Sequence, residues 1–150
     1  MNGTRSDFRV TPIPLDAARL KLFRQYLMLF FTGKTRHASE VAARQVARFE
    51  DNGATLERMA AMAGEGQELL MSGRFQDFGL LLEDAWQLKR SLGASSDAVD
   101  AIHATALKAG ALGAKLLGAG ECGFMLVAAE PEGHGKIEEA LSGLLRVPFE

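Results

Sequence analysis

Gly118, Gly120 and Gly123 stand at G-x-G-x-x-G spacing within the stretch from Gly113 to Val127. Glycine accepts positive φ and carries no side chain, so such a loop can bring bare backbone N–H groups against a phosphate. With a helix behind it, the spacing would mark a dinucleotide-binding turn. Here Phe124 to Ala129 is a short apolar run closed by Glu130-Pro131, the pattern of a buried strand. The unit therefore reads strand, glycine loop, strand. A tight hairpin that needs glycine for geometry alone is the competing reading, and spacing by itself does not separate the two.

Four further residues have types suited to a phosphorylated sugar. Thr35 and Arg36 follow the apolar run Tyr26 to Phe31 and precede a helical pattern. A guanidinium there, beside helix N–H groups, suits an anionic group such as a sugar phosphate; the plain alternative is a surface arginine after a strand end. Trp86 and Lys89 are three residues apart and share a helix face. Trp86 could wall a sugar pocket while Lys89 meets a phosphate, or a core tryptophan could carry a solvated lysine beside it. His37, His103 and His134 lack metal-ligand spacing and have no carboxylate cluster with them, so we expect no metal site and read all three as ordinary polar positions. Cys122 is the single cysteine, which leaves no internal disulfide and no cysteine cluster for zinc. It reads as a packing residue, and Met59, Met62 and Met71 as flexible core filling.

Hydrophobic periodicity sets out the elements that must position these residues. Phe8 to Leu15 contains Pro12 and Pro14 and reads as an edge strand or an extended lead-in. Ala17 to Arg24 fits a short helix, and Tyr26 to Phe31 a buried strand stopped by Thr32-Gly33. Helical spacing then recurs through Ala38, Val41, Ala42, Val46 and Phe49, through Leu56 to Leu70, and through Phe75 to Leu92. Val99, Ile102, Ala106 and Ala109 form a fourth such face behind a Ser95-Ser96-Asp97 cap. After the glycine hairpin come a turn over Pro131 to Gly135 and a short helix through Ile137, Ala140, Leu141 and Leu144. Val147-Pro148-Phe149 reads as the start of a last strand. Strands and helices in separated groups predict an α+β fold with an antiparallel sheet.

Size and charge narrow the function. A chain of 150 residues is one domain by length. The net charge of −2 offers no basic surplus for nucleic acid, which counts against a helical DNA-binding domain. The longest apolar run, Leu27 to Phe31, is far short of the roughly 18 residues of a membrane span. The start lacks the apolar core of a signal peptide, and with one cysteine a reducing cytoplasm is the expected compartment.

The stretch Gly110-Ala111-Leu112-Gly113-Ala114-Lys115-Leu116-Leu117-Gly118-Ala119-Gly120-x-x-Gly123-Phe124 resembles the third conserved motif of the GHMP small-molecule kinases. That family covers galactokinase, homoserine kinase, mevalonate kinase and phosphomevalonate kinase. Phe31-Thr32-Gly33-Lys34-Thr35-Arg36-His37-Ala38-Ser39-Glu40, Trp86-Gln87-Leu88-Lys89 and Val147-Pro148-Phe149 resemble one branch, the bacterial heptose 7-phosphate kinases, in the family's order. The resemblance is to the C-terminal half only. It implies a ferredoxin-like antiparallel sheet with helices packed on one face, extended by extra helices. It places Gly118, Ala119, Gly120 and Gly123 near the terminal phosphates of a nucleotide, with Thr35, Arg36, Trp86 and Lys89 on the substrate side. Glu121 and Cys122 depart from the family, where these positions are commonly small. A carboxylate about 6 Å from a phosphate charge would cost roughly 3 kcal/mol at an effective dielectric of about 20. Pointing to solvent it costs almost nothing, and we read Glu121 as outward.

The serine-rich nucleotide loop of these kinases, of the form Pro-x-x-x-Gly-Leu-Gly-Ser-Ser, does not occur here, and their aspartate base lies in the same N-terminal half. By the resemblance, residues 1–150 are the C-terminal domain of an ATP-dependent sugar kinase, catalytically incomplete alone. The intact enzyme would use ATP and Mg2+ to phosphorylate a sugar hydroxyl, such as the anomeric hydroxyl of a heptose 7-phosphate; neither is expected to bind tightly to this chain. The implied partners are an N-terminal kinase half and a sugar or sugar phosphate, without nucleic acid or membrane, and with self-association open. The other reading is a stand-alone module that reuses the fold to hold a small ligand or another protein.

Overall fold

The structure, a computed structural model, describes residues 10–33, 52–118 and 123–148. Residues 10–16 lead in without regular structure, as Pro12 and Pro14 dictate. Helix α1, Ala17–Arg24, starts where the Asp16 carboxylate accepts the Arg19 N–H at 2.7 Å. Strand β1 is Leu27–Phe31. Helices α2 (Gly53–Ser72), α3 (Phe75–Ser91) and α4 (Asp97–Lys108) follow. Gly73, left-handed at φ 73°, ends α2. The Ser96 hydroxyl caps α4 by accepting the Val99 N–H. Strands β2 (Gly113–Leu116) and β3 (Phe124–Ala128) flank the glycine loop. A single 3-10 turn over Pro131–Gly133 leads into α5 (His134–Ala140), and β4 (Leu145–Arg146) comes last. The helical pattern from Ala38 to Phe49 lies outside the described residues.

The strands form one sheet in the order β2-β3-β1-β4, with every neighbouring pair antiparallel. With helices between β1 and β2 and again between β3 and β4, this is the ferredoxin-like arrangement implied by the resemblance, enlarged by the α2–α3 pair. The last strand sits earlier than Val147-Pro148-Phe149. Leu145 and Arg146 pair with β1, and Val147 N–H adds one further bond to Leu29 O at 2.8 Å. Pro148 then has no N–H with which to continue.

Alternation along the strands sorts the sheet into two faces. Met28, Phe30, Ala114, Leu116, Met125 and Val127 point to the core, under Trp86 of α3, Val99 and Ala106 of α4, and Ile137 of α5. On the other face a row of apolar residues crosses all four strands where the glycine loop leaves them: Leu117, Phe124, Phe31 and Leu145 stand side by side. The Phe31 and Phe124 rings lie 5.3 Å apart. Leu145 is 67% exposed, and Leu117 and Phe124 are each 39% exposed.

Helix α3 runs against β2 at backbone contact. Gly113 permits this, because a Cβ there would sit 2.2 Å from Gly79 O and 2.9 Å from Glu83 N. Gly79 faces it from the helix, where a Cβ would meet Leu112 Cβ at 2.8 Å. This close approach sets the height at which the rest of α3 passes the glycine loop.

Candidate functional site

Three elements converge on the ends of the glycine loop. At its start Gly118 takes φ 89°, a value that a side chain would resist. Its carbonyl accepts a hydrogen bond from Lys89 Nζ, which reaches across from the last turns of α3 at 2.5 Å. At the far end Gly123 has φ 127°. Thr32, just past β1, holds Gly123 by three hydrogen bonds. Its N–H and its Oγ1 both donate to Gly123 O at 2.9 Å, and Oγ1 accepts the Gly123 N–H at 3.1 Å. Between these ends Leu117 N–H closes the hairpin on Phe124 O at 2.8 Å. Ala119, Gly120, Glu121 and Cys122 lie outside the described residues.

A second lysine stands close to the first. Lys115 extends from β2 into a groove of about 290 Å³ between α2 and α3, lined in part by Met59, Met62, Leu82 and Ala85. Both lysines are half-buried. Loss of hydration holds both ammonium pKa values below the ordinary lysine range, and the charge of Lys115 lowers that of Lys89 further.

At the start of β2, α3 supplies Glu83. Its carboxylate accepts from His103 Nε2, which lies 2.8 and 3.0 Å from its two oxygens. It also accepts the Ala114 N–H at 3.2 Å and Gln87 Nε2 at 2.6 Å. Because β2 is an edge strand, Glu83 does at Ala114 what a neighbouring strand would do.

This corrects the reading of His103 as an ordinary polar position. It is 4% exposed, on the inner face of α4 with Val99 and Ala106 at i, i+4 and i+7. The same periodicity that marked the apolar residues marks His103. His134, half-buried at the first turn of α5, is likewise not freely solvated: desolvation lowers its imidazole pKa, opposed by a hydrogen bond with the Ala129 backbone. Met62 belongs to the core, but Met71 is exposed and fills nothing.

Of the residues expected at a site, Lys89 and Gly118 meet directly, and Gly123 closes the same hairpin. Thr35 and Arg36 lie outside the described residues. Trp86 does not wall an open pocket. It is fully buried in the core, with its ring 6.3 Å from that of His103 and its Nε1 without a hydrogen-bond partner. Three residues along a helix amount to a rotation of about 60°, enough for Trp86 to face the sheet while Lys89 passes its edge. Thr32 and Lys115 stand inside the resembling stretches, yet no spacing rule singles them out, and nothing local marks Glu83. Among the described residues no group of three or more His, Cys, Asp or Glu is placed to hold a metal ion, and no helix is long and apolar enough to cross a membrane.

The sheet order, the helical insert and the anchored glycine hairpin define a ferredoxin-like domain of the small-molecule kinase type. Residues 67–146, more than half of the chain, match the family described as GHMP kinases C terminal, and the chain belongs to that family. It is 30% identical over 134 residues to the bifunctional fucokinase/GDP-fucose pyrophosphorylase of Arabidopsis thaliana, a match covering 85% of this chain and 13% of that protein. Its fold is similar to that of L. major mevalonate kinase in complex with R-mevalonate, with a TM-score of 0.71 at 23% identity over 80% of this chain and 40% of that one. It is also similar to a D-glycero-D-manno-heptose 1-phosphate kinase from Bacteroides thetaiotaomicron, with a TM-score of 0.68 at 19% identity over 95% of this chain and 38% of that one. The chain thus spans well under half the length of each.

Proposed function

We propose that this chain is the C-terminal part of an ATP-dependent sugar kinase, supplying the glycine loop and one wall of the substrate cleft, and inactive without an N-terminal half. The observation that carries this reading is the loop fixed at both ends, by Lys89 on the Gly118 carbonyl and by Thr32 on Gly123. Phosphoryl transfer depends on positioning and on charge neutralisation. Held ends give such a loop a defined start and finish, and the Lys89 ammonium stands at its start. Gly118, Ala119, Gly120 and Gly123 would face the terminal phosphates of ATP. ATP and Mg2+ would be held chiefly by the serine-rich loop of the other half, since this chain supplies no comparable stretch.

The sugar acceptor is supported by the fucokinase relative. Within the sugar class, Thr35 and Arg36 in the Phe31-to-Glu40 stretch favour an acceptor that itself carries a phosphate, as a heptose 7-phosphate does. The test joins this chain to the N-terminal half of the Bacteroides thetaiotaomicron kinase and follows ADP release with fucose, galactose, heptose 7-phosphate and mevalonate. The expected result is turnover with a sugar by the joined protein and none by this chain alone. Sustained turnover by the repurified chain alone would refute its incompleteness, and turnover with mevalonate only would refute the sugar.

A further inference from the structure

The groove between α2 and α3 has a lining that packing alone does not explain. It holds about 290 Å³, and Met59, Met62, Phe78 and Leu82 are among the apolar side chains around it. Gly66 lines it from the middle of α2. Glycine inside a helix is destabilising relative to alanine. Gly66 has no positive φ, and a Cβ there would meet the Phe78 ring at 3.6 Å and Leu81 Cδ2 at 3.7 Å, which are ordinary van der Waals contacts. Neither backbone conformation nor crowding therefore demands glycine at this position, and what the missing side chain leaves is room in the groove. One cation reaches the same space. Lys115 is half-buried there, and no described carboxylate pairs with it. Arg58, Arg74, Arg90 and Arg146, by contrast, each face a carboxylate. Gln67 is the only other polar side chain among the described residues that line the groove, and its amide lies against Met71 Sδ at 3.9 Å.

We propose that the α2–α3 groove binds a small amphiphilic monocarboxylate, with its apolar body between Met59, Met62 and Phe78 and its carboxylate on Lys115. A partly desolvated ammonium without a counter-charge is unfavourable, and it gains from an anion that brings its own apolar cover. A single lysine lining the groove matches a single negative charge. The space equals that of about ten water molecules, which suits an acid of about eight carbons. Methionine side chains adapt their shape to such a body. The groove lies between the two helices that enlarge the fold, and nothing in this assignment rests on the kinase reading.

Isothermal titration of the full chain with octanoate, octanol and acetate tests it, together with magnetic resonance spectra of isotope-labelled methionine methyl groups. Octanoate should bind more tightly than octanol, and acetate should not bind. Bound octanoate should shift the Met59 and Met62 methyl signals and leave in place those of Met28 and Met125, which belong to the sheet core. Lys115→Met should weaken octanoate binding about tenfold or more, as expected for loss of a charge-assisted hydrogen bond, and leave octanol binding unchanged. Lys115→Arg should retain most of the affinity. Gly66→Ala should raise the thermal midpoint, because the helix gains from the change, and weaken octanoate binding by about tenfold, because one added methyl group takes up groove space. Octanoate that fails to bind, or binds no better than octanol, would overturn the proposal. So would shifts confined to methionines outside the groove, or a Lys115→Met protein with a native circular dichroism melt and unchanged octanoate affinity. No kinase turnover enters these measurements, so their failure is separate from failure of the joined protein to phosphorylate sugar.

Discussion

Gly79 and Gly113 answer a different need from Gly118 and Gly123. The first two have no positive φ and no room: a Cβ on Gly113 would lie 2.2 Å from a helix carbonyl. The second two have positive φ and space around them, with nothing within 4 Å of a Cβ at Gly118 and only Leu117 O, at 3.4 Å, near one at Gly123. One pair is glycine because of what is packed against it, the other because of how the chain turns. A single motif, Gly113 to Gly123, therefore contains two devices. Its first glycine fastens the strand to α3, and its later ones shape the loop that α3 then steadies through Lys89.

The sharpest way to break this distinction is Gly113→Ala. Backbone faces backbone there, so no side chain can swing aside, and the expected loss is roughly 3 kcal/mol or more. Urea unfolding followed by circular dichroism would read it, and a loss under about 1 kcal/mol would show that α3 can back away from β2. Gly79→Ala should cost less, about 1–3 kcal/mol, because its tightest contact, Leu112 Cβ at 2.8 Å, needs a smaller shift than the 2.2 Å approach at Gly113.

The next effect concerns the carboxylate that seals the same helix–strand contact. Glu83→Ala leaves the Ala114 N–H and His103 Nε2 without their acceptor, and should cost about 1–3 kcal/mol in the same experiment. A change within about 0.5 kcal/mol would mean that water replaces the carboxylate at the sheet edge.

Gly118→Ala probes the other device. It meets no atom but must hold a left-handed backbone, so we expect a loss of about 1 kcal/mol. Urea unfolding checks it, and an unchanged stability would show that the Gly118 conformation is not what the hairpin requires.

The smallest effect carries the opposite sign. Burial places the folded pKa of Lys115 below its unfolded value of 10.5. Between the two values the unfolded chain holds more protons, so stability rises with pH across that alkaline window. Lys115→Met should flatten the rise and leave stability at neutral pH unchanged or higher. Urea midpoints near pH 7 and pH 10 check this, and a destabilised variant would show that Lys115 supports the fold.

How much of this was legible in the sequence depended on the range of the interactions. Helices α2, α3 and α4 were readable because their periodicity and their stops at Gly73, Gly93 and Gly110 are local. The strand–loop–strand unit was readable for the same reason. The partition of α3 was not: which of Trp86 and Lys89 enters the core is decided by where the sheet lies, not by their spacing. Glu83 was invisible because its partners His103 and Ala114 are 20 and 31 residues away. Thr32 lies 91 residues from Gly123. Within the resembling motif the pattern identified the loop, while its anchors came from elsewhere in the chain.

The exposed row Leu117, Phe124, Phe31 and Leu145 has neighbours that give it a mechanical meaning. Leu117 precedes Gly118, Phe124 follows Gly123, and Phe31 precedes Thr32. Each is one peptide unit from a point at which the loop is held. A load carried by these three side chains therefore reaches the backbone one peptide unit from Gly118, Gly123 and Thr32, as a force on a beam reaches its nearest supports, while Leu145, the most exposed of the row, stands apart from them on the last strand.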